Sequence, residues 1–515
     1  MSNSVLLIRD GDSVAIALKD LKVGEEVLGL TIKEEIPFGH KFSTKDIKTG
    51  EIVYKYNLPI GKATTDIKAG SWVHTHNITV EGLSGTEYEF STATPPPPKQ
   101  ISGRTFQGYR REDGRVGTRN YLAVISTVNC SAQASDYVAK HFTPDYLAAK
   151  FPNVDGVIAI THQTGCGVVY ASEDHEQLER TLAGYAEHPN VSGYLVIGLG
   201  CETVQAKPFA DKHLVQLGKR SAAQSSSLVM TLQEEGGTKK TVAKAIAAME
   251  ELLQEANKLK REAIPVSELV LGLNCGGSDA FSGITANPAL GYASDLLVAH
   301  GGTAVLAETA EIYGAEGLLT RTAVSRAVGE KLVERIRWWE QYMEMFKPIL
   351  KNGASLNNNP SPGNKKGGLT TILEKSLGAV AKGGTTALQD VVLFAEKIKT
   401  KGFVFMDTPC VDWVSVTGLV AGGCNLMAFT TGRGSCLGLK PTPTLKIATN
   451  TPMYQRMEDD MDINAGKILE GASIQQVGEE IFEELIRIAS GEKTKSEILG
   501  YGDKEFAPWS IGPTL

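Results

Sequence analysis

Hydrophobic and polar positions follow two different rhythms along this chain, and the change comes at a run of four prolines. Before it, Ser4 to Ile8, Ser13 to Ala17, Glu51 to Tyr56 and Trp72 to Thr79 are short and β-branched or aromatic, cut by Gly, Asp and Asn. They predict strands of a compact all-β module, with turns at Lys22-Val23-Gly24-Glu25 and Ile67-Lys68-Ala69-Gly70. Thr94-Pro95-Pro96-Pro97-Pro98-Lys99 predicts an extended polyproline II spacer.

After the spacer, apolar runs alternate with helical spacing. Tyr121 to Thr127, Val157 to Ile160, Tyr194 to Ile197, Glu268 to Leu273 and Thr303 to Leu306 read as buried strands, and Ala132 to Phe142 and His175 to Glu187 as helices. The longest expected helix, Lys239 to Ala263, carries Val242, Ala245, Ile246, Met249, Leu252 and Leu253 on one face and stops before Pro265. Further strands are expected near Gly402 to Met406 and Leu426 to Thr430. The expected fold is α/β: a small N-terminal all-β domain (1–94), a Pro-rich linker (95–103), and two α/β domains (104–264 and 265–515).

Composition narrows the class. With 515 residues, 42% hydrophobic and 22% charged, the chain can bury a core, which excludes a disordered or fibrous protein. Lys+Arg 52 against Asp+Glu 59 leaves no broad basic field for a phosphate backbone, so no nucleic-acid partner is expected. The N-terminus lacks the pattern of a secretory signal, and no run approaches the roughly 20 apolar residues of a membrane span. A cytoplasmic protein without a membrane partner is expected, its seven cysteines kept as thiols.

The cysteines fall where strands end. Asn129-Cys130, His162-Gln163-Thr164-Gly165-Cys166, Gly200-Cys201 and Asn274-Cys275-Gly276-Gly277-Ser278-Asp279 each follow an expected strand. In open α/β sheets ligands bind beyond the carboxyl ends of strands. One cysteine alone reads as a small buried hydrophobe. Four at equivalent positions favour a soft-metal or polar ligand site, although no CxxC pair is present. His74 and His76 are two apart in an expected strand, where i and i+2 share a face, so both imidazoles could bind one ion. Exposed histidine pairs are nevertheless commoner than ligands.

Two glycine-rich loops suit an anion: Pro360 to Gly368, with Asn364, Lys365 and Lys366, and Thr430 to Gly434, whose Arg433 can grip a carboxylate bidentately. Neither has P-loop spacing, and no GxGxxG, GxSxG, HExxH or EF-hand pattern occurs.

Gly39-His40-Lys41, Leu58-Pro59-Ile60-Gly61, Gly108-Tyr109-Arg110, Val116-Gly117-Thr118-Arg119-Asn120, Gly198-Leu199-Gly200-Cys201-Glu202 and Cys275-Gly276-Gly277-Ser278-Asp279 occur in that order. Ser282 to Pro288, Asn359 to Lys365 and Thr431-Gly432-Arg433-Gly434 follow them. In these segments the chain resembles the altronate and galactarate dehydratases from about Val14 to its end. His74-Thr75-His76-Asn77 and Asp174-His175 resemble the altronate branch, whereas Asp279-Ala280-Phe281 and Met461 to Gly466 are similar to the galactarate branch.

The resemblance implies a β-clip-like N-terminal domain and a homo-oligomeric, metal-dependent hydro-lyase. Such an enzyme converts an aldonate such as D-altronate to a 2-keto-3-deoxy acid, with galactarate as the alternative substrate. It implies iron(II), with manganese(II) as a substitute, and an iron–sulfur cluster on the cysteines stays open. Candidate metal ligands are His74, His76, Cys130, His162, Cys166, Cys201 and Cys275. Asp279, His175 and Lys365 are candidates for catalysis, and Asn364, Arg433 and Ser278 for holding the sugar acid. A catalytically idle aldonate-binding protein is the reading from another class.

Overall fold

Two parallel sheets and a β module account for the two rhythms. The computed structural model describes residues 4–81, 88–90, 96, 98–213, 228–348, 356 and 359–512. Of the expected proline spacer, Thr94, Pro95 and Pro97 lie outside the described residues.

In the β module, Val5–Leu6, Val14–Ala17, Lys41–Ser43 and Trp72–Val73 form one antiparallel sheet, and Ile52–Lys55, Leu58–Ala63 and Ile78–Thr79 another. The hairpin between Ile52–Lys55 and Leu58–Ala63 closes through Tyr56 and Asn57, both at positive φ (62° and 59°). Two left-handed residues match a hairpin's own twist. The expected strand Trp72 to Thr79 is two strands instead, because the Asn77 side chain accepts from His74 N at 2.9 Å and donates to Trp72 O at 2.8 Å, turning the chain between them.

The middle sheet is parallel, in the order Gly156–Ile160, Tyr121–Ser126, Val191–Gly198, Val229–Thr231. Every residue of Tyr121–Ser126 is buried, as expected of a parallel strand covered on both faces. The long helix is shorter than its periodicity predicts. It spans Thr238–Ala256, and Glu262–Pro265 forms a strand antiparallel to Thr105–Arg110. Backbone pairing with a distant segment overrides local helical spacing there. Phe106, Val116 and Ile264 from this small sheet pack into the C-terminal core with Leu271 and Leu297.

The C-terminal sheet has seven parallel strands: Leu388–Val392, Gly402–Met406, Thr303–Leu306, Val270–Cys275, Leu426–Thr431, Thr444–Ala448 and Ile463–Asn464. The architecture is therefore the small β domain followed by α/β units. Helices Glu173–Ala186 and Asp412–Ala421 join the two units. A Cβ on Gly184 would stand 2.2 Å from the Ala421 oxygen, so only glycine allows this approach.

Candidate active site

Val270–Cys275 leads to Thr303–Leu306 on one side, while its neighbour Leu426–Thr431 leads to Thr444–Ala448 on the other. Connections that diverge this way leave a crevice beyond the strand ends. The two loops at the crevice are tied together, because Gly432 N and Arg433 N both donate to Gly277 O, at 3.1 and 2.8 Å. Asn364 amide nitrogen donates to Ser278 O at 2.9 Å, which brings in the third loop. Ser278, Asp279, Asn364, Lys365 and Arg433 thus share one place.

Their side chains differ in how far the protein already engages them. Asp279 is buried, and burial pushes its carboxyl pKa up against the donors around it. Its Oδ1 accepts from Phe281 N (3.1 Å) and Ser282 N (3.0 Å), and its Oδ2 from Thr449 Oγ1 and Asn450 Nδ2 (3.0 Å each). Both oxygens are engaged, and through them Asp279 braces the loops. Asn364 is likewise committed, its Oδ1 accepting from Ser361 N at 3.1 Å and Ser361 Oγ at 2.9 Å. It braces its own loop against Ser278. By contrast, Arg433 is exposed and Lys365 half-buried, and among the described residues neither side chain has an ion-pair or hydrogen-bond partner.

The β module covers this edge. His40 Nε2 donates to Lys366 O at 3.2 Å, and its Nδ1 accepts from Trp72 Nε1 at 3.2 Å. Beneath it, Lys41 and Lys55 reach Glu374 at 2.9 and 2.8 Å, all three side chains buried. His74 stacks on Trp72, with ring centroids 5.1 Å apart and planes 13° apart, and lies 5.0 Å from His40. Burial, helped by Lys41, drives the His74 pKa down to about 3, so the ring is neutral. Its Nδ1 is buried without a partner among the described residues. His76, exposed, lies 5.3 Å from the same indole. The two histidines therefore flank a tryptophan from a turn and do not share a strand face.

Tyr56, at the hairpin tip, enters a cavity shared with Cys275, Ser278, Asp279, Glu374 and Lys375. Behind it lies a buried charged cluster that the sequence did not reveal. Lys382 Nζ is 2.6 Å from Cys275 Sγ, 3.4 Å from Glu311 and 3.6 Å from Glu308, and Lys375 pairs with Glu311 at 2.6 Å. Cys275, Glu308 and Glu311 bring ligand atoms within 4.8 Å of one another, a donor set that suits a divalent ion. Two ammonium groups already balance it, however, so an ion there has to displace one of them.

The remaining candidates lie on the middle sheet. His162 is not a free ligand, because Ser126 O lies 3.0 Å from its Nε2 and Thr164 N donates to its Nδ1 at 3.2 Å. Burial lowers its pKa to about 4. His175 belongs to helix Glu173–Ala186, 3.7 Å from Glu179 and 5.2 Å from the Tyr170 ring, surroundings of the middle domain and not of the crevice. Cys130, in the first turn of the helix Asn129–His141, and Cys166 and Cys201, on loops, are all exposed.

Three family models match consecutive parts of the chain: the altronate/galactarate dehydratase SAF domain over residues 3–81, the D-galactarate dehydratase/altronate hydrolase second domain over 108–257, and the D-galactarate/altronate dehydratase C-terminal domain over 266–514. An altronate dehydratase of Bacillus subtilis is 36% identical over 99% of this chain and 100% of its own length. That of Escherichia coli is 36% identical over 98% of each. A galactarate dehydratase (L-threo-forming) of Escherichia coli is 40% identical over 94% of this chain and 92% of its own. With matches that span the β module, the middle sheet and the C-terminal crevice alike, the chain belongs to the altronate/galactarate dehydratase family and is a hydro-lyase.

Proposed function

We propose that the protein dehydrates the sugar acid D-altronate to a 2-keto-3-deoxy acid and water. The observation that carries this reading is the pair of cations Arg433 and Lys365, without partners among the described residues, on braced loops at the sheet's switch point. Dehydration takes the proton from C2, expels the C3 hydroxyl as water, and leaves an enol that tautomerises to the ketone. The negative charge that develops on the carboxylate side needs fixed positive groups. Arg433 would grip the carboxylate through its planar fork, and Lys365 would stand beside the developing charge. Because Gly432 and Arg433 are tied to Gly277, the guanidinium stem starts from a fixed point.

A divalent metal, iron(II) or manganese(II), belongs to this reading. The neutral ring of His74, with its orphaned buried Nδ1, fits a metal ligand, and His76 would be its companion. Bound there, the ion would polarise the substrate carboxylate and a hydroxyl together. His40, Trp72 and the turn-forming Asn77 hold the His74 ring in place.

Galactarate is the second reading, favoured by the 40% identity to a galactarate dehydratase. Assaying purified protein on altronate and galactarate side by side, with each metal and with chelator, tests both. Turnover of neither substrate, with any metal, would overturn the proposal.

A further inference from the structure

Tyr56 carries its side chain out of the β module and into the C-terminal domain, and its backbone is strained in doing so. The two-residue loop between Ile52–Lys55 and Leu58–Ala63 needs a left-handed first residue, a place that Asn or Gly fills readily. Here that residue is a tyrosine at φ 62°. A bulky residue in this region is an outlier, and such strain persists where the surrounding structure holds a side chain in place.

The hairpin tip is fixed on every side. Asn57 N donates to Asp12 Oδ1 and Tyr54 N to Ser13 Oγ, both at 2.7 Å, and Thr371 Oγ1 donates to Ile60 O at 2.5 Å. The preceding residue, Lys55, is anchored on buried Glu374. The Tyr56 ring packs against Ile16, Phe281 and Ile284. A Cβ on Gly283 would stand 2.7 Å from Tyr56 Oη, so glycine there leaves room for the phenol.

The cavity that receives the phenol adjoins the crevice. Ser278 lines it, and directly before Ser278 stands Gly277, whose oxygen holds the backbone of Arg433. A substrate carboxylate gripped by Arg433 has its C3 hydroxyl only three bonds from the carboxylate carbon, on the way toward this cavity. Other polar groups of the lining are already committed. Both oxygens of Asp279 accept, and Ser282 Oγ is one of their donors at 3.1 Å. Lys375 is paired with Glu311 at 2.6 Å and donates to Asn359 Oδ1 at 2.9 Å, while Ser278 Oγ points to Cys275 Sγ at 3.8 Å. The Tyr56 hydroxyl donates to no group among the described residues. Burial raises its pKa above the ordinary value, so the proton is present at neutral pH. Lys55 opposes that rise; its Nζ lies 4.9 Å from the ring centroid, where an ammonium stabilises the phenolate left after proton transfer.

We propose that Tyr56 is the acid of the dehydration, its phenol donating the proton with which the C3 hydroxyl departs. The proposal rests on the dehydratase reading above, but on neither sugar acid in particular. The base takes the C2 proton, and the electron pair of that bond becomes the C2–C3 double bond. The C3–O bond breaks with its pair on oxygen, which takes the phenolic proton and leaves as water. The phenolate then regains a proton from solvent, to which the base returns its own. No oxidant or reductant enters.

The test compares full-length wild type with Tyr56→Phe, which keeps the ring and its packing and loses only the O–H. Both are assayed on a panel of aldonates and aldarates that includes altronate and galactarate, with equal metal content verified by elemental analysis. On the acid turned over fastest, kcat of Tyr56→Phe should fall by about 10²–10⁴-fold, with melting temperature unchanged and calorimetric affinity within several-fold of wild type. On the 3-deoxy-3-fluoro analogue of that acid, fluoride departs without needing a proton, so the deficit should nearly vanish. Unchanged kcat, a change in KM alone, or an equal deficit on the fluoro analogue would overturn the acid role. A wild type active on another panel acid, but not on altronate or galactarate, would fail the substrate reading and leave this comparison standing. A wild type that dehydrates none of the panel would overturn both.

Discussion

Lys41 of the β module and Glu374 of the C-terminal domain form an ion pair of 2.9 Å in which neither side chain is exposed. Lys55 reaches the carboxylate's other oxygen at 2.8 Å, so one buried carboxylate serves two ammonium groups. The module is docked, not merely tethered.

Replacing Glu374 by Gln should therefore destabilise the protein by about 3–5 kcal/mol, because it leaves two buried ammonium groups without a counter-charge. Urea unfolding would measure it. The two ammoniums hold the Glu374 carboxyl far below its ordinary 4.5. Below pH 4.5 the unfolded chain binds this proton first, so the contribution is full above that pH and falls as the pH drops. Melting temperature should decline in this acid range, and the decline should be shallower in Glu374→Gln.

Asp279→Asn tests whether that carboxylate is a brace. Loss of a general base costs roughly 10²–10⁴-fold in rate. Loss of a brace puts an amide among hydroxyl and amide donors and costs about 1–3 kcal/mol of stability. We expect a lowered melting temperature with turnover reduced less than a base would require. Abolished turnover in a variant of unchanged stability would restore Asp279 as a catalytic group.

Arg433→Lys should leave the fold intact, since the guanidinium is exposed and holds no partner among the described residues. On the preferred substrate we expect kcat/KM to fall by about 1–3 kcal/mol in transition-state terms, because a point charge does not replace a planar fork. Unchanged steady-state kinetics would remove Arg433 from the site.

Exhaustive chelation should abolish activity, and iron(II) or manganese(II) should restore it, with elemental analysis to verify removal. His74→Ala should weaken metal affinity and cut turnover while the melting temperature stays near that of the wild type. Deleting residues 1–94 is a poorer test, because it also strips both lysines from Glu374 and leaves that charge buried alone. Full activity of His74→Ala at limiting metal would place the metal elsewhere.

Sequence alone determined the order of the units and most of their strands. Short β-branched and aromatic runs before the prolines and buried apolar runs after them are local signals, and Thr303–Leu306 and Gly402–Met406 form where they predict. Strand ends likewise pointed to loops bearing Ser278, Arg433 and the cysteines, because a parallel sheet has one functional edge. What only the tertiary structure decided is what each polar group touches. Asp279 and Asn364 looked free until four loops closed on them. His162 looked like a ligand until Ser126 and Thr164 took both ring nitrogens. Glu308, Glu311, Lys375 and Lys382 carry no motif, since their partners are up to 107 residues away along the chain. Hydrogen bonds and ion pairs across such separations depend on how sheets and helices stack, and no local pattern of residues records that.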